Sequence, residues 1–268
     1  IITGLKRTED GIFRNGVRAW TSQAVHAGDV IETHLVETEP SDGILPRPVP
    51  FSVVYEDDDI LVVDKPADTP IHPSIGNYEN TLANGIAWYF EQKGEPFVYR
   101  CINRLDRDTT GLIVLAKHAL SAAVLSQAMR SREIHRTYQA FALGETAASG
   151  TIDAPIARLN GSLIQRTVDF ASGERSVTHY RTLAHCSVFS HLELNLETGR
   201  THQIRVHMAY IGHPLLGDAL YGGDASLLAR PALHSAAADF TQPVTGQPLH
   251  ITAPIPEDLR AFGFERYL

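Results

Sequence analysis

Asn103-Arg104-Leu105-Asp106-Arg107-Asp108-Thr109-Thr110-Gly111-Leu112 runs straight into Ile113-Val114-Leu115-Ala116, and the reading of the chain turns on this junction. The second half is a short strand-like run, introduced by a polar Thr-Thr-Gly turn. The first half sets one carboxylate, Asp106, between two arginines. Permanent cations favour the charged form of a neighbouring carboxylate. An ionised aspartate cannot donate a proton, but it can serve as a nucleophile or a base. The plain alternative is a surface aspartate in a salt-bridged turn, since structural ion pairs also perturb carboxylates.

Working outward, further β-type runs rich in Val, Ile, Thr, Phe or Tyr lie at residues 52–55, 60–64, 112–117, 137–143, 177–183 and 189–196. Three helices are expected among them. The first spans 80–93, with Asn80 at its start and Gly94 just past its end. The second carries Leu120, Val124 and Ala128 at four-residue spacing and ends in Arg130 and Arg132, which suit a helix C-terminus. The third begins near Thr201. Strands outnumber helices and do not alternate with them regularly, so the fold class is α+β with a mixed, largely antiparallel sheet. Residues 40–50 hold four prolines and a glycine and read as a linker. A boundary near residue 47 follows, with an N-terminal extension over 1–47 and the main domain over 48–268.

The 268 residues are 43% hydrophobic and 20% charged, the balance of an ordinary globular protein. No apolar run approaches the ~20 residues of a membrane span, so no membrane partner is expected. No signal-peptide pattern stands at the N-terminus, and the first residue is Ile1 rather than Met, which leaves room for residues upstream. Cys101 and Cys186 form no CxxC pair, which argues against a disulfide framework and a zinc site and fits a reducing cytoplasm. The net charge of −8 speaks against a protein that coats nucleic acid indiscriminately. Its distribution is uneven, however. Residues 100–210 hold 13 Lys and Arg against nine Asp and Glu, while the rest holds 10 against 22. A basic face around Asp106 on an acidic body suits a local polyanion site.

Four more segments carry chemistry-bearing residues: Val63-Asp64-Lys65-Pro66 with Ile71-His72-Pro73-Ser74; Arg136-Thr137-Tyr138-Gln139-Ala140; the turn and basic helix from Glu197 to His207, with Arg200, Thr201, His202, Gln203 and Arg205; and Gly212 to Asp218 followed by Tyr221-Gly222. Taken in order with residues 103–112, they resemble the RluA-type RNA pseudouridine synthases. The likeness runs from about Phe51 to about Asp258, including Arg230 to His234 and Ala253 to Pro256. Departures are few. Asn103 stands where the family has a histidine, Thr110 replaces a serine, and Glu174 replaces a lysine before the strand at Val177. Asn15-Gly16-Val17 and Ala27 to Ile31 look like the tail of an alpha-L RNA-binding module whose basic helices are absent, so residues 1–47 read as a remnant of that module plus the Pro-rich linker.

The resemblance implies a bent mixed sheet with flanking helices and a central RNA-binding cleft, uridine-to-pseudouridine isomerisation in ribosomal or transfer RNA, and no metal or cofactor. It implies Asp106, Tyr138 and Arg205 as catalytic residues. Arg104, Leu105, Arg107, Thr109, Thr110, Lys65, His72, Arg200, His202 and Gln203 would bind substrate. Breaking the bond from ribose to uracil builds positive charge on the sugar, which a carboxylate beside it can stabilise or trap. Asp106 would do this, by attack or by taking a ribose proton. Arg205 would fix it, and Tyr138 would remove the surplus ring proton or stack on the uracil. Base flipping costs a few kcal/mol, and Arg104 would fill the vacated stack. Arg130, Arg132, Arg136, Arg158 and Arg166 are further candidates for phosphate contacts. A cytoplasmic monomer is expected.

Two rivals remain at this point. A non-catalytic RNA-binding or ribosome-associated protein could keep the fold, although plain binding does not need Asp106, Tyr138 and Arg205 together. A glycoside or nucleoside hydrolase could pair Asp106 with Asp108, but the flanking arginines hold both ionised, which is wrong for a general acid. His202 and His207 lie five apart rather than at the i, i+4 spacing of a helical zinc pair.

Overall fold

The computed structural model describes residues 5, 11–34 and 40–261. Strands β1 (Ile12–Arg14), β2 (Val17–Arg18) and β3 (Ile31–Thr33) form a small sheet of their own in the order β2-β1-β3. They fall within the expected N-terminal extension, of which residues 1–4, 6–10 and 35–39 lie outside the described residues. From Ser52 the order is β4 (Ser52–Glu56), β5 (Ile60–Lys65), α1 (Leu82–Lys93), β6 (Thr110–Ala116), α2 (Ala119–Arg130), β7 (His135–Leu143), β8 (Ser149–Asp153), β9 (Ile156–Arg158), β10 (Arg166–Val168), β11 (Val177–His185) and β12 (Phe189–Leu196). Then come α3 (Gln203–Tyr210), a 3-10 turn at Ala219–Tyr221, β13 (Leu233–Thr241), β14 (Pro248–Thr252) and α4 (Glu257–Arg260).

Nine strands share one sheet in the order β4-β5-β6-β13-β7-β12-β11-β8, with β14 added beside β13. Among the described residues every pairing in it is antiparallel except β6 with β13. The architecture is the expected α+β, with a mixed and largely antiparallel sheet. β9 and β10 make a separate two-stranded ribbon.

β13 is where the sheet divides. It meets β6 at only two positions, His234 opposite Thr110 and Ser235 opposite Gly111. Its ladder with β7 then slips between Ser235 and Ala237, and beyond that bulge its other edge takes β14 instead. The two halves touch closely at Gly111, whose φ is 110°. A Cβ there would stand 2.3 Å from the Ser235 carbonyl oxygen, so only glycine permits the contact.

Helices cover the sheet where the strands are apolar on both faces. Leu82, Ile86 and Phe90 of α1 pack on Leu61, Val63, Ile113 and Leu115. On the opposite face Leu125 of α2 joins Ile60, Val62, Leu112 and Val114. This two-sided burial explains why β5 and β6 read as unbroken apolar runs rather than alternating ones. In the other half, Ile204 and Met208 of α3 pack against Tyr138, Ala140, Leu192 and Leu194.

Caps set the helix limits. α1 begins two residues later than expected: Thr81, not Asn80, is the cap, its hydroxyl taking the Asn84 amide while Asn84 Oδ1 accepts the Thr81 N–H. Gly94 closes it in a left-handed conformation, as foreseen. α2 is capped by His118, which accepts the Ser121 amide, and Arg130 lies in its last turn.

Candidate active site

A cleft of about 870 Å³ opens beside the division of the sheet, lined by the 101–109 loop, the start of β7 and the 196–205 segment. Asp106 stands on the first of these, immediately before β6. The loop is tied down from behind. Asn103 donates to the Leu112 carbonyl at 3.0 Å and accepts the Val114 amide at 2.8 Å. The Asp106 carbonyl accepts from Thr109 N, and Arg230, itself held by Asp258 at 2.6 and 2.8 Å, donates to the Asp108 carbonyl.

Arg205 enters from α3. Its Nη1 donates to Asp106 Oδ2 at 3.3 Å, while Nε and Nη2 donate to the two oxygens of Asp218 at 2.6 and 2.7 Å. Asp218 is 1% exposed and Arg205 8%. Burial works against the guanidinium charge, yet Asp218 and then Asp106 outweigh it and hold Arg205 above its ordinary pKa. The cation in contact with Asp106 is therefore Arg205, not the sequence neighbours Arg104 and Arg107. Arg107 turns away to pair with Asp68. His202 also faces the carboxylate, its Nε2 3.9 Å from Asp106 Oδ2 and its Nδ1 2.8 Å from the Tyr221 hydroxyl. Tyr138 lines the cleft from β7, nearly buried, and its hydroxyl accepts from Arg136 Nη1 at 3.3 Å.

Most of the residues expected at a site do converge here. Arg104, Leu105, Arg107, Thr109, His72, Arg200, His202 and Gln203 line the cleft with Asp106, Tyr138 and Arg205. Arg104 is exposed and makes no hydrogen bond or ion pair among the described residues. Thr109 Oγ1 is buried without a partner. Arg200 pairs with Glu174, so the acidic residue that stood out in the sequence masks a cleft arginine. Gln203 lines the cleft but is almost wholly buried, its amide engaged by Arg200 N, Thr198 Oγ1, Val177 O and Thr178 Oγ1. It shapes the turn and has no group left for a ligand.

Two further expected contacts, beside Gln203, require correction. Lys65 is fully buried, and its ammonium donates to the carbonyls of Pro66, Thr69 and Arg107 at 2.7, 3.0 and 2.8 Å. Burial pushes its pKa down to about 7. It staples two loops and does not line the cleft. Thr110 points its hydroxyl to His234 Nδ1 at 2.9 Å, behind the site. Asp108 also lies off the cleft lining, which removes the Asp106–Asp108 pair on which the hydrolase reading rested. Asp218 and Tyr221 contact Arg205 and His202 at this site, a placement the sequence did not reveal. Both belong to a segment that stood out, but a role for Asp218 depends on the fold bringing it to α3.

Among the described residues no three His, Cys, Asp or Glu side chains are grouped to hold a metal ion, and no helix is long and apolar enough to cross a membrane.

Comparison with known proteins gives a consistent result. Residues 59–210 match the family model described as RNA pseudouridylate synthase. The uncharacterized RNA pseudouridine synthase YjbO of Bacillus subtilis is 37% identical over 260 residues, covering 97% of this chain and 92% of the relative. Ribosomal large subunit pseudouridine synthase D of Vibrio cholerae is 40% identical over 251 residues, covering 88% of this chain and 76% of the relative. Among solved structures, human RNA pseudouridylate synthase domain containing 1 aligns with a TM-score of 0.66 at 25% identity, over 80% of this chain and 88% of the other.

Proposed function

The chain belongs to the RNA pseudouridylate synthase family, and from that membership we propose that it isomerises specific uridines of large-subunit ribosomal RNA at the cleft around Asp106. The observation that carries the site assignment is the Asp106–Arg205–Asp218 arrangement: a cleft carboxylate held by a buried arginine whose other nitrogens are taken. The choice of RNA rests on the ribosomal relatives, and transfer RNA is the alternative substrate that the experiment below separates.

As the bond between ribose C1′ and uracil N1 breaks, positive charge grows on the sugar and Asp106 meets it. Its carboxylate attacks C1′ or takes the 2′ proton, and either route starts from the same group. Uracil leaves as a delocalised anion, rotates, and rejoins C1′ through C5, displacing the Asp106 carboxylate from C1′ or regaining the 2′ proton from it, and N1 takes up a proton as C5 loses one. Tyr138, beside Arg136, takes the surplus C5 proton. Arg104, exposed at the rim, enters the space left by the flipped base. Arg130, Arg132 and Arg136, also on the cleft, meet backbone phosphates.

The two free cysteines and the RNA substrate favour the cytoplasm. Residues 1–47, with the small β1–β3 sheet, form an extension to a catalytic domain over 48–268.

The test is to incubate the purified protein with unmodified ribosomal and transfer RNA and to map pseudouridine by carbodiimide modification and primer extension. New sites confined to large-subunit RNA support the assignment. Asp106→Asn is expected to lose conversion while keeping its melting temperature and RNA affinity. Full activity in that variant overturns the role given to Asp106.

A further inference from the structure

His202 precedes α3 in a left-handed backbone conformation, φ 59° and ψ 19°. A side chain there is uncommon outside glycine and is kept only where its surroundings determine it. The surroundings are specific. Nδ1 lies 2.8 Å from the Tyr221 hydroxyl, the two rings meet edge to face, and Nε2 lies 3.9 Å from Asp106 Oδ2.

The Tyr221 hydroxyl has a second partner, the backbone N–H of Arg166 at 2.9 Å. A backbone amide can only donate, so that contact occupies one oxygen lone pair and leaves the phenolic proton available to His202 Nδ1, the hydroxyl's other partner among the described residues. With Nδ1 accepting, a neutral ring carries its own proton on Nε2, the nitrogen that faces Asp106. Burial favours the neutral ring, and Arg205 and Arg166 act in the same direction, against Asp106 and Asp218. At 3.9 Å the pair is too far apart for a direct hydrogen bond. An oxygen about 2.8 Å from both fits as the apex of a bent bridge.

We propose that Tyr221 fixes the Nε2–H tautomer of His202, and that His202 and Asp106 together hold the ribose 2′-hydroxyl of the target uridine, which accepts from Nε2–H and donates to Asp106. The 2′-hydroxyl is the group of the flipped nucleotide that both donates and accepts beside the breaking bond, and it distinguishes RNA from DNA. His202 then selects ribose and sets the angle of the sugar against the carboxylate. Tyr221 is a positioning residue that acts through it. This inference rests on the synthase reading above.

The experiment uses an RNA oligonucleotide spanning a mapped target, carrying either uridine or 2′-deoxyuridine at that position, under single-turnover conditions. The native protein should convert the deoxy substrate ~30-fold more slowly, the scale of one hydrogen bond to a charged group. His202→Ala should lose about as much on the ribose substrate and less than about threefold more on the deoxy one. His202→Gln places an amide N–H near Nε2 and should recover most of the rate. Tyr221→Phe should slow the native protein but not the His202→Gln variant. Thermal melting accompanies each variant, and His202→Gln decides the matter if His202→Ala is unfolded. Independent, multiplying losses from His202→Ala and the deoxy substitution overturn the bridge. Equal Tyr221→Phe losses in both backgrounds overturn the tautomer. Absence of conversion by the native protein overturns the synthase reading itself, and with it this inference.

Discussion

Arg205 grips Asp218 with two nitrogens, at 2.6 and 2.7 Å, and has only Nη1 left for Asp106 at 3.3 Å. The planar guanidinium fork fixes its own orientation once two of its bonds are set. The Asp106 carboxylate is therefore held by a residue of the 212–218 segment through an arginine of α3 that lies 99 residues from Asp106 in the sequence.

Asp218→Asn tests that aim. The substitution keeps the shape but removes the charge facing a buried guanidinium, and breaking a buried pair costs about 3–5 kcal/mol. The urea midpoint should fall accordingly. The single-turnover rate should drop ~100-fold, about the cost of misplacing a reacting group, with RNA affinity changed less than about threefold. Unchanged rate and midpoint together would show that Arg205 is oriented by something else.

Gly111→Ala tests the seam between the two halves of the sheet. Its φ of 110° is hostile to any side chain, and the added methyl would meet the Ser235 backbone. The contact is backbone against backbone, so no side chain can yield. A loss of about 2–4 kcal/mol is expected, with a matching fall in melting temperature. Since Asp106 stands five residues before this contact, activity should fall even at temperatures where the variant is folded.

The same seam carries a pH dependence. His234 is fully buried on β13, bonded to Thr110, and burial holds its pKa down to about 4 from an ordinary 6.5. Between those values the unfolded chain binds a proton that the folded chain refuses. Stability present above pH 6.5 is thus lost progressively as the pH falls toward 4, by about 3 kcal/mol for this one group. Urea titrations across that window should show a shallower decline for His234→Gln than for the native chain. His202, His207 and His191 are shifted in the same direction, so the difference between the two slopes is the measurement.

What the sequence disclosed follows from where the determining interactions lie. The strands at 60–65 and 110–116 and the end of α1 at Gly94 were legible because burial pattern and caps are local. Asp106, Tyr138 and Arg205 were found by their motifs, and the fold brings them to one cleft. β13 was not read as a strand. Its alanines suit a crowded central position between β6 and β7, which cannot be inferred from propensity. Lys65 was misplaced for a related reason. A lysine in a loop-bound motif reads as a substrate contact until the three carbonyls converging on it are seen.

Glu174 offers the last test, on recognition rather than chemistry. It neutralises Arg200, and Glu197 pairs at 3.1 and 2.9 Å with Arg132 and Arg175, so the cleft-lining Arg200 and Arg132 and the adjacent Arg175 are already matched by acids. Exposed pairs of this kind are worth at most about 1 kcal/mol, so a well-placed phosphate displaces the glutamate while a stray one gains little. Such masking weakens non-cognate binding more than cognate binding. Glu174→Gln should raise affinity for unrelated RNA about two- to fivefold and steepen the dependence of log K on log salt by about 0.7–0.9, the increment for one added phosphate contact. Filter binding between 50 and 200 mM salt measures both. An unchanged slope would mean that Arg200 meets no phosphate, and the rim contact would then fall to Arg132.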